Sequence, residues 1–174
     1  MTKLEEFRLG KDHFFAQSHG SPLTDKQRRR FAGLEYYPEN PDLVIEAALE
    51  VSPDRGTLTL EATGGDARTY RRAGIVHFTV DGKSAQLTLF EADEGERLFL
   101  PFRDATSGKE TYGAGRYLEV SRPQDGCVVV DFNYADNPYC AYNAHWSCPL
   151  PPHENWLAVP IRAGEKAFPN GEQH

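Results

Sequence analysis

Apolar and polar residues alternate in short runs along most of the chain after residue 35, and turn-forming residues separate these runs. Alternation with a period of two is typical of a strand that buries one face. Seven such strands are predicted, over residues 42–51, 56–63, 68–80, 84–92, 96–102, 115–120 and 126–132. Turns are expected between them, and Asp81-Gly82 is a strong signal for a two-residue hairpin. The other turns are predicted at residues 52–56 and 63–67.

The first 33 residues have a helical pattern instead. In residues 2–18 the apolar positions fall near one helical face, which predicts a helix, although Gly10 lowers its stability. Thr24 is a suitable N-cap for a second, short helix, and Gly33 is a suitable stop. Because only strands follow, the predicted fold is all-β, an antiparallel barrel or sandwich with an N-terminal helical cap.

Length and charge narrow the class of protein. A chain of 174 residues suits a single domain, with residues 1–33 as the helical cap and 34–168 as the β domain. A net charge of -7 argues against nucleic-acid binding, which needs Lys and Arg to neutralise phosphates. No apolar run approaches the ~20 residues of a membrane span, and the first 15 residues lack the apolar core of a signal peptide. A cytoplasmic protein without membrane partners is expected, and its oligomeric state stays open.

One long stretch, residues 131–155, has neither a helical nor an alternating period. It lies between the last predicted strand and another apolar, strand-like run at 156–163. Loops of this length in compact domains are usually either functional or disordered. Disorder is unexpected here because aromatic residues are frequent in and beside the stretch. These residues are Phe132, Tyr134, Tyr139, Tyr142, Trp146 and Trp156. The pattern therefore indicates an ordered loop that positions polar residues for a function.

Two segments resemble a known family: "FRDATSGKETYGAGRYLEV" at 102–120, and residues 131–166, which begin "DFNYADNPYCAYNAHWSCPLPPHEN". With the opening "KDHFF…SPLT…RFAGLEYYP", they make the chain similar to the domain of unknown function 1684 family of bacterial and archaeal proteins. The resemblance implies no activity, because the family is uncharacterised. It implies which positions belong to the family's pattern: Asp104, Thr106, Ser107, Tyr112, Gly115, Arg116, Tyr117, Asp131, Asn133, Asn137, Pro138, Cys140, Cys148, Pro149 and Asn155.

The family positions between residues 104 and 116 allow two interpretations. Asp104 can cap a tight turn by accepting hydrogen bonds from the residues that follow it. Alternatively, Arg116 can offer its planar fork to a carboxylate or phosphate, with hydroxyl groups beside it. If residues 115–132 form a hairpin, Arg116 and Asp131 can meet near its open end. Their partnership would then be either part of a site or a structural salt bridge.

The cysteines leave several alternatives open. Cys127 begins an apolar run and is predicted to be buried. Cys140 and Cys148 could form a disulfide, or pack as free thiols in the loop. With His145 and His153 they superficially resemble a zinc site, but the spacing matches no common pattern and the family pattern lacks both histidines. Cys140 could also be a nucleophile if a base such as His145 lay beside it.

The leading hypothesis is a binding module for a small polar or anionic ligand, held between loops 104–115 and 131–155. The residues predicted to bind it are Asp104, Thr106, Ser107, Tyr112, Arg116, Asp131, Asn133, Asn137 and Cys140. No metal or other cofactor is expected. The alternatives are a hydrolase-type enzyme that uses Cys140 or the Asp104 and Asp131 carboxylates in the same pocket, and a protein-interaction module. Whether the protein is an enzyme stays open.

Overall fold

The computed structural model of the protein describes residues 1–51, 56–91, 95–169 and 171. All seven predicted strands are present within these residues, and they form two antiparallel sheets. The strands are β1 (Val44–Ala48), β2 (Thr57–Glu61), β3 (Ala67–Val80), β4 (Lys83–Glu91), β5 (Arg97–Phe102), β6 (Arg116–Ser121) and β7 (Cys127–Asp131). Residues 52–55 of the first predicted turn and residue 92 at the end of the fourth predicted strand lie outside the described residues.

The larger sheet has the order β2-β3-β4-β5-β6, and the smaller one pairs β1 with β7. The prediction for the β3–β4 turn is confirmed, because Asp81 (φ 50°) and Gly82 (φ 76°) both have positive φ and Val80 pairs with Lys83. Positive φ at both central residues is the geometry that follows the right-handed twist of the flanking strands.

The predicted hairpin over residues 115–132 is wrong. β6 pairs with β5 at one edge of the larger sheet, whereas β7 pairs with β1, with Asp131 opposite Val44. The chain between β6 and β7 therefore passes from one sheet to the other. The physical reason is burial, since Val128 and Val130 are 2% and 1% exposed and share a core with the larger sheet. The barrel alternative is also wrong, because the edge strands β2 and β6 of the larger sheet do not pair with each other, and β1 and β7 form a separate sheet.

Both sheets contribute to one apolar core. The small sheet supplies Val128 and Val130, and the large sheet supplies a set that includes Val76, Leu87, Leu89, Leu98, Leu100 and Leu118. Alternation along β7 places its other residues outside, so Val129 is 55% exposed and Cys127 is exposed as well. The prediction that Cys127 is buried is therefore wrong. Cys127 precedes the buried Val128, but alternation places Cys127 on the solvent side of the strand, so its apolar neighbour in sequence does not bury it.

The apolar run at 156–163 is not a regular strand, so the strand interpretation of it is wrong, although Val159, Ile161 and Ala163 are buried. Leu157 N donates to Arg103 O at 2.8 Å, and Ala105 N donates to Val159 O at 3.0 Å. The next amide, Ile161 N, instead donates to a carboxylate oxygen of Asp104 at 2.6 Å. The ladder therefore ends where the Asp104 carboxylate takes the place of a backbone carbonyl.

The N-terminal helices are α1 (Lys3–Gln17) and α2 (Asp25–Arg30). Each begins with a capping box, and the predicted cap Thr24 accepts a hydrogen bond from Gln27 N. α2 ends at Arg30, before the predicted stop at Gly33, which adopts positive φ in the connection that follows. No helix in the described part of the chain is both long and apolar enough to span a membrane.

α1 packs on the loop after β7 and so covers part of the candidate site. Its Phe15, 1% exposed, meets the ring of Tyr142 edge to face at 4.9 Å between centroids. Together with Leu23 these rings form a second, smaller apolar cluster. Short 3-10 helices at Phe132–Tyr134, Tyr139–Ala141 and His153–Asn155 give the loop regular segments, and a further one at Pro41–Leu43 precedes β1.

Candidate functional site

The loop over residues 131–155 contacts both edges of the large sheet. At the β6 edge, Tyr117 and Asp136 exchange two backbone hydrogen bonds of 2.8 and 3.0 Å. At the opposite edge, Thr63 N donates to Cys148 O at 3.0 Å, and Leu150 N donates to Glu61 O at 2.7 Å. Backbone groups of the loop therefore have hydrogen-bond partners at both edges of the large sheet, which agrees with the prediction that the loop is ordered.

Asn155 fills a gap within the large sheet. β4 and β5 pair at one position, Phe90 with Phe99, and then diverge. The Asn155 side chain, 0% exposed, replaces the missing backbone partners there. Its Oδ1 accepts from Thr88 N, and its Nδ2 donates to Thr88 O and Pro101 O, each at 2.8 Å. This residue of the family pattern has a structural role.

Arg116 is buried, at 1% exposure, and holds the end of the irregular run 156–163 and the residues just after it. Its guanidinium donates to Ile161 O at 2.8 Å, to Glu165 O at 3.2 Å and to Ala163 O. The nearest carboxylate is Asp104 at 3.6 Å, so the predicted partnership with Asp131 is wrong. Burial lowers the pKa of Arg116, and the charge of Asp104 opposes that shift.

Asp104, Thr106 and Ser107 form a closed network beneath the turn that they were predicted to stabilise. The Asp104 carboxylate accepts from Thr106 Oγ1 at 2.9 Å, from Ser107 Oγ at 3.3 Å and from Ile161 N at 2.6 Å. Asp104 and Thr106 are 6% and 1% exposed. With Arg116, these residues bind the chain's own backbone and form a buried structural network.

Asp131 and Asn133 also bind backbone groups. Asp131 Oδ1 accepts from the amide of Asn133 at 3.0 Å and from its Nδ2 at 2.9 Å. Asn133 in turn exchanges two hydrogen bonds with the backbone of Asn40, at 2.8 and 3.0 Å. Asn133 therefore attaches the segment before β1 to the end of β7, while Asp131 caps the 3-10 helix at Phe132–Tyr134.

An open cleft of about 1120 Å³ lies between β6, β7 and the loop. Its wall combines aromatic rings, polar side chains and two thiols, and includes Arg68, Tyr117, Cys127, Asp136, Asn137, Trp146 and Cys148. No residue of the 104–115 loop lines it among the described residues. Of the predicted site residues, Asp131 and Asn137 line the cleft. Tyr112 and Cys140 are hydrogen-bonded to each other at 3.5 Å, outside its lining.

A charged cluster lies beside this cleft. Lys11 Nζ of α1 is 2.9 Å from a carboxylate oxygen of buried Glu165 and 3.3 Å from one of Asp136. Burial opposes the charge on Lys11, but the two carboxylates more than compensate and raise its pKa. Burial raises the pKa of Asp136 to about 6, against the opposing charge of Lys11. The Asp136 side chain keeps 38% of its surface exposed, so water moderates the effect of burial.

Asn137 joins the charged cluster to the cleft wall. Its Nδ2 donates to Glu165 Oε1 at 3.1 Å and to Lys166 O at 3.0 Å. Its Oδ1 is buried and has no hydrogen-bond partner in the described part of the chain. A buried acceptor without a partner is uncommon in folded proteins and can mark a place for water or a ligand.

Cys140 and Cys148 are free thiols in contact, and they are 0% and 8% exposed. The hydrogen bond between the two thiols raises the pKa of Cys148 and lowers the pKa of Cys140, which further donation from Tyr112 and Thr63 also lowers. The groups that lower this pKa do not include His145, which is exposed. Within the described residues no cluster of three or more His, Cys, Asp or Glu side chains could hold a metal ion.

Sequence reasoning did not identify Lys11, Asp136 or Glu165 as part of this region. Lys11 and Glu165 are 154 positions apart, so no local motif connects them. The sequence contained one indication that Asp136 could belong to the site, because Asp136 directly precedes Asn137 of the family pattern.

Comparisons with known proteins agree with the resemblance found in the sequence. The model of a family described as a protein of unknown function (DUF1684) matches residues 29–166. Among solved structures, an NMR structure of an uncharacterized protein from Haloarcula marismortui is 38% identical, with a TM-score of 0.73. That alignment covers 94% of this chain and 92% of the archaeal one. No curated protein matches the chain.

Proposed function

Because the chain belongs to the DUF1684 family of proteins of unknown function, we propose a function from the geometry of the cleft: it binds a small polar ligand there. The observation that carries the proposal is the partly exposed carboxylate of Asp136, held by Lys11 beside aromatic walls. A concave site with a few placed polar groups among aromatic side chains is the usual form of a small-molecule site.

The chemistry of the wall favours a ligand that donates hydrogen bonds. Asp136 offers partly exposed carboxylate oxygens, and its neighbour Asn137 lines the same wall. Hydroxyl or amine groups satisfy such acceptors. Arg116, which could have favoured an anion, is occupied by backbone carbonyls. Among the described residues, the cleft lining has five carboxylate side chains against three arginines, so a hydroxylated or amine-bearing molecule fits this wall better than an anion does.

Aromatic rings supply the apolar part of the proposed site. Trp146 is 42% exposed and meets Tyr139 edge to face at 5.1 Å between centroids. Tyr117 lines the cleft as well, and its hydroxyl donates to Pro149 O, so its ring is held in place. Fixed rings of this kind can cover the flat face of a small ligand at low entropic cost.

The proposal predicts that Asp136→Asn weakens ligand binding about tenfold, because one charge-assisted hydrogen bond is lost. A panel of hydroxylated and amine-bearing compounds would be screened by chemical-shift changes in the protein's NMR spectrum. Compounds that bind should shift the Trp146 indole and the amides of 136–137. Asp42→Asn is the control, because Asp42 is exposed and outside the cleft lining. Unchanged affinity of every binding compound in both Asp136→Asn and Trp146→Ala would refute the proposal.

The raised pKa of Asp136 predicts two linked effects of pH. Its carboxyl should titrate near 6 in the folded protein, when followed by carboxyl NMR. An unfolded Asp ionises near pH 4, so the folded state holds the extra proton between about pH 4 and about pH 6. Stability should therefore fall with rising pH across this window relative to Asp136→Asn, as measured by urea unfolding. A titration midpoint at or below 4 would contradict the burial of this carboxyl.

A further inference from the structure

We propose that the cleft binds an extended, basic polypeptide segment, which pairs as an added β-strand with the open edge of β6. This binding goes beyond the proposed small-molecule site, because it uses backbone groups and carboxylates that a ligand at Asp136 does not require. The observations that carry it are the hydrogen-bond register of β6 and β7 and the charges that line the cleft.

The register of β6 shows which of its backbone groups face the cleft. Tyr117 exchanges both of its backbone hydrogen bonds with Asp136 of the loop, so its N–H and C=O point away from β5. Backbone groups alternate in direction along an antiparallel strand. The N–H and C=O groups of Glu119 and Ser121 therefore also point away from β5, and no described residue forms a hydrogen bond with them. Both residues are exposed and line the cleft.

The edge of β7 that borders the same cleft is open as well. Leu49 N donates to Gly126 O at 2.9 Å, and this bond sets the phase of the ladder between β1 and β7. By the same alternation, Val128 and Val130 direct their backbone groups toward β1. Val129 directs its N–H and C=O away from β1, and they have no hydrogen-bond partner in the described part of the chain. Val129 is 55% exposed and lines the cleft.

An open strand edge is a template for another extended chain. At Tyr117 the protein fills the β6 edge with its own loop, through Asp136. Past this point Glu119 and Ser121 offer two donors and two acceptors to the cleft. An extended peptide presents a matching donor and acceptor at every second residue. The arrangement therefore suits recognition by strand addition, in which main-chain hydrogen bonds supply the affinity.

The charges of the cleft select a basic occupant. Each arginine of the lining lies 3.2–3.6 Å from a carboxylate, in the pairs Arg68–Asp66, Arg97–Glu119 and Arg122–Glu91. Three carboxylates of the lining have no cation partner among the described residues: Glu46, Asp125 and Asp131. Glu46 is exposed and lies opposite Val129 in the small sheet, beside the open edge of β7. Lysine or arginine side chains of a bound segment would neutralise these groups, whereas a second copy of this chain, with a net charge of -7, would be repelled.

The probe is an acetylated and amidated hexapeptide of alternating lysine and valine, titrated into the natural protein at low salt and followed by NMR. We expect it to bind, and at saturation to slow hydrogen exchange of the Glu119 and Ser121 amides at least about tenfold, because these N–H groups gain carbonyl partners. A hexapeptide of alternating glutamate and valine should bind at least about tenfold more weakly, because its charge is reversed. Absence of binding at millimolar lysine–valine peptide, binding without protection of the two amides, or equal binding of both peptides would overturn the proposal.

Ser121→Pro tests the backbone contact. It removes the N–H that points to the cleft and none of the bonds between β5 and β6, so the fold should survive, which circular dichroism checks. We expect the lysine–valine peptide to bind at least about fivefold more weakly to Ser121→Pro and with unchanged affinity to Ser121→Ala, which keeps the N–H. Compounds that bind at Asp136 should keep their affinity for Ser121→Pro, so failure of this proposal is distinguishable from failure of the small-molecule site.

A charge variant keeps the test decisive if the proline variant does not fold. Glu46→Gln combined with Asp125→Asn removes two exposed carboxylates of the lining and should weaken binding of the lysine–valine peptide about fivefold. Glu39→Gln combined with Asp42→Asn makes the same change at exposed positions outside the lining and should have no effect. Equal affinities of these two double variants would overturn the proposal. A dimer that forms without peptide and protects the Glu119 and Ser121 amides would assign the edge to a second copy of the chain and would overturn it as well.

Discussion

Arg116→Met should lower the free energy of unfolding by about 3–5 kcal/mol, measured by urea denaturation at neutral pH. The substitution leaves the buried Asp104 carboxylate without its cation and removes the donors to Ile161 O, Ala163 O and Glu165 O. Each buried acceptor that loses its partner keeps its desolvation cost, and methionine cannot replace the hydrogen bonds.

Arg97→Met is the matched control, because Arg97 is 64% exposed and pairs only loosely with Glu119 at 3.6 Å. Exposed ion pairs contribute about 0–1 kcal/mol, so this variant should be close to the natural protein. Arg116→Lys should fall between the two, since it keeps the charge and loses the planar fork. If Arg116→Met is no less stable than Arg97→Met, the buried network does not hold the segment 161–165.

Asn155→Leu should lower the free energy of unfolding by about 2–4 kcal/mol, because it leaves buried backbone groups inside the large sheet without hydrogen-bond partners. Thr88 N, Thr88 O and Pro101 O each lose their partner where β4 and β5 diverge. Leucine is similar in size to asparagine, so the loss of stability reflects the missing hydrogen bonds more than a change in side-chain volume. Hydrogen exchange of the Thr88 amide should also become much faster.

Gln86→Leu serves as the comparison, since it makes a similar change on the same strand at an exposed position. We expect its effect to stay within about 0.5 kcal/mol. Asn155→Asp is a second test, because it keeps the acceptor for Thr88 N but turns a carboxylate toward two carbonyl oxygens. An Asn155→Leu protein with unchanged stability and unchanged Thr88 exchange would show that water replaces the amide without cost.

Residues that carry charge or amide groups within the family pattern therefore divide into two groups. Four of them, Asp104, Arg116, Asn133 and Asn155, satisfy backbone groups where strands diverge or where the chain is irregular. Asn137 and Asp131 lie at the cleft. The residues next to a charged or amide side chain in the sequence do not show whether it binds backbone groups or lines a cleft. The difference depends on which residues distant in sequence it contacts.

The sequence determined the local elements of this protein. The alternation of apolar residues placed all seven strands, and Asp81-Gly82 specified the turn between β3 and β4. Thr24 marked the start of α2. These features depend on propensities and periods over a few residues, which the sequence contains directly.

The tertiary structure decided the pairing of strand edges and the roles of the polar residues. Alternation along β7 is the same whether it pairs with β6 or with β1, so only the shared core decided between the two sheets. The burial of Arg116, the contact of Cys140 with Cys148 and the joining of Lys11 to Glu165 all depend on residues distant in sequence. Burial and charge pairing arise from the assembled core, and a local pattern of residues does not contain them.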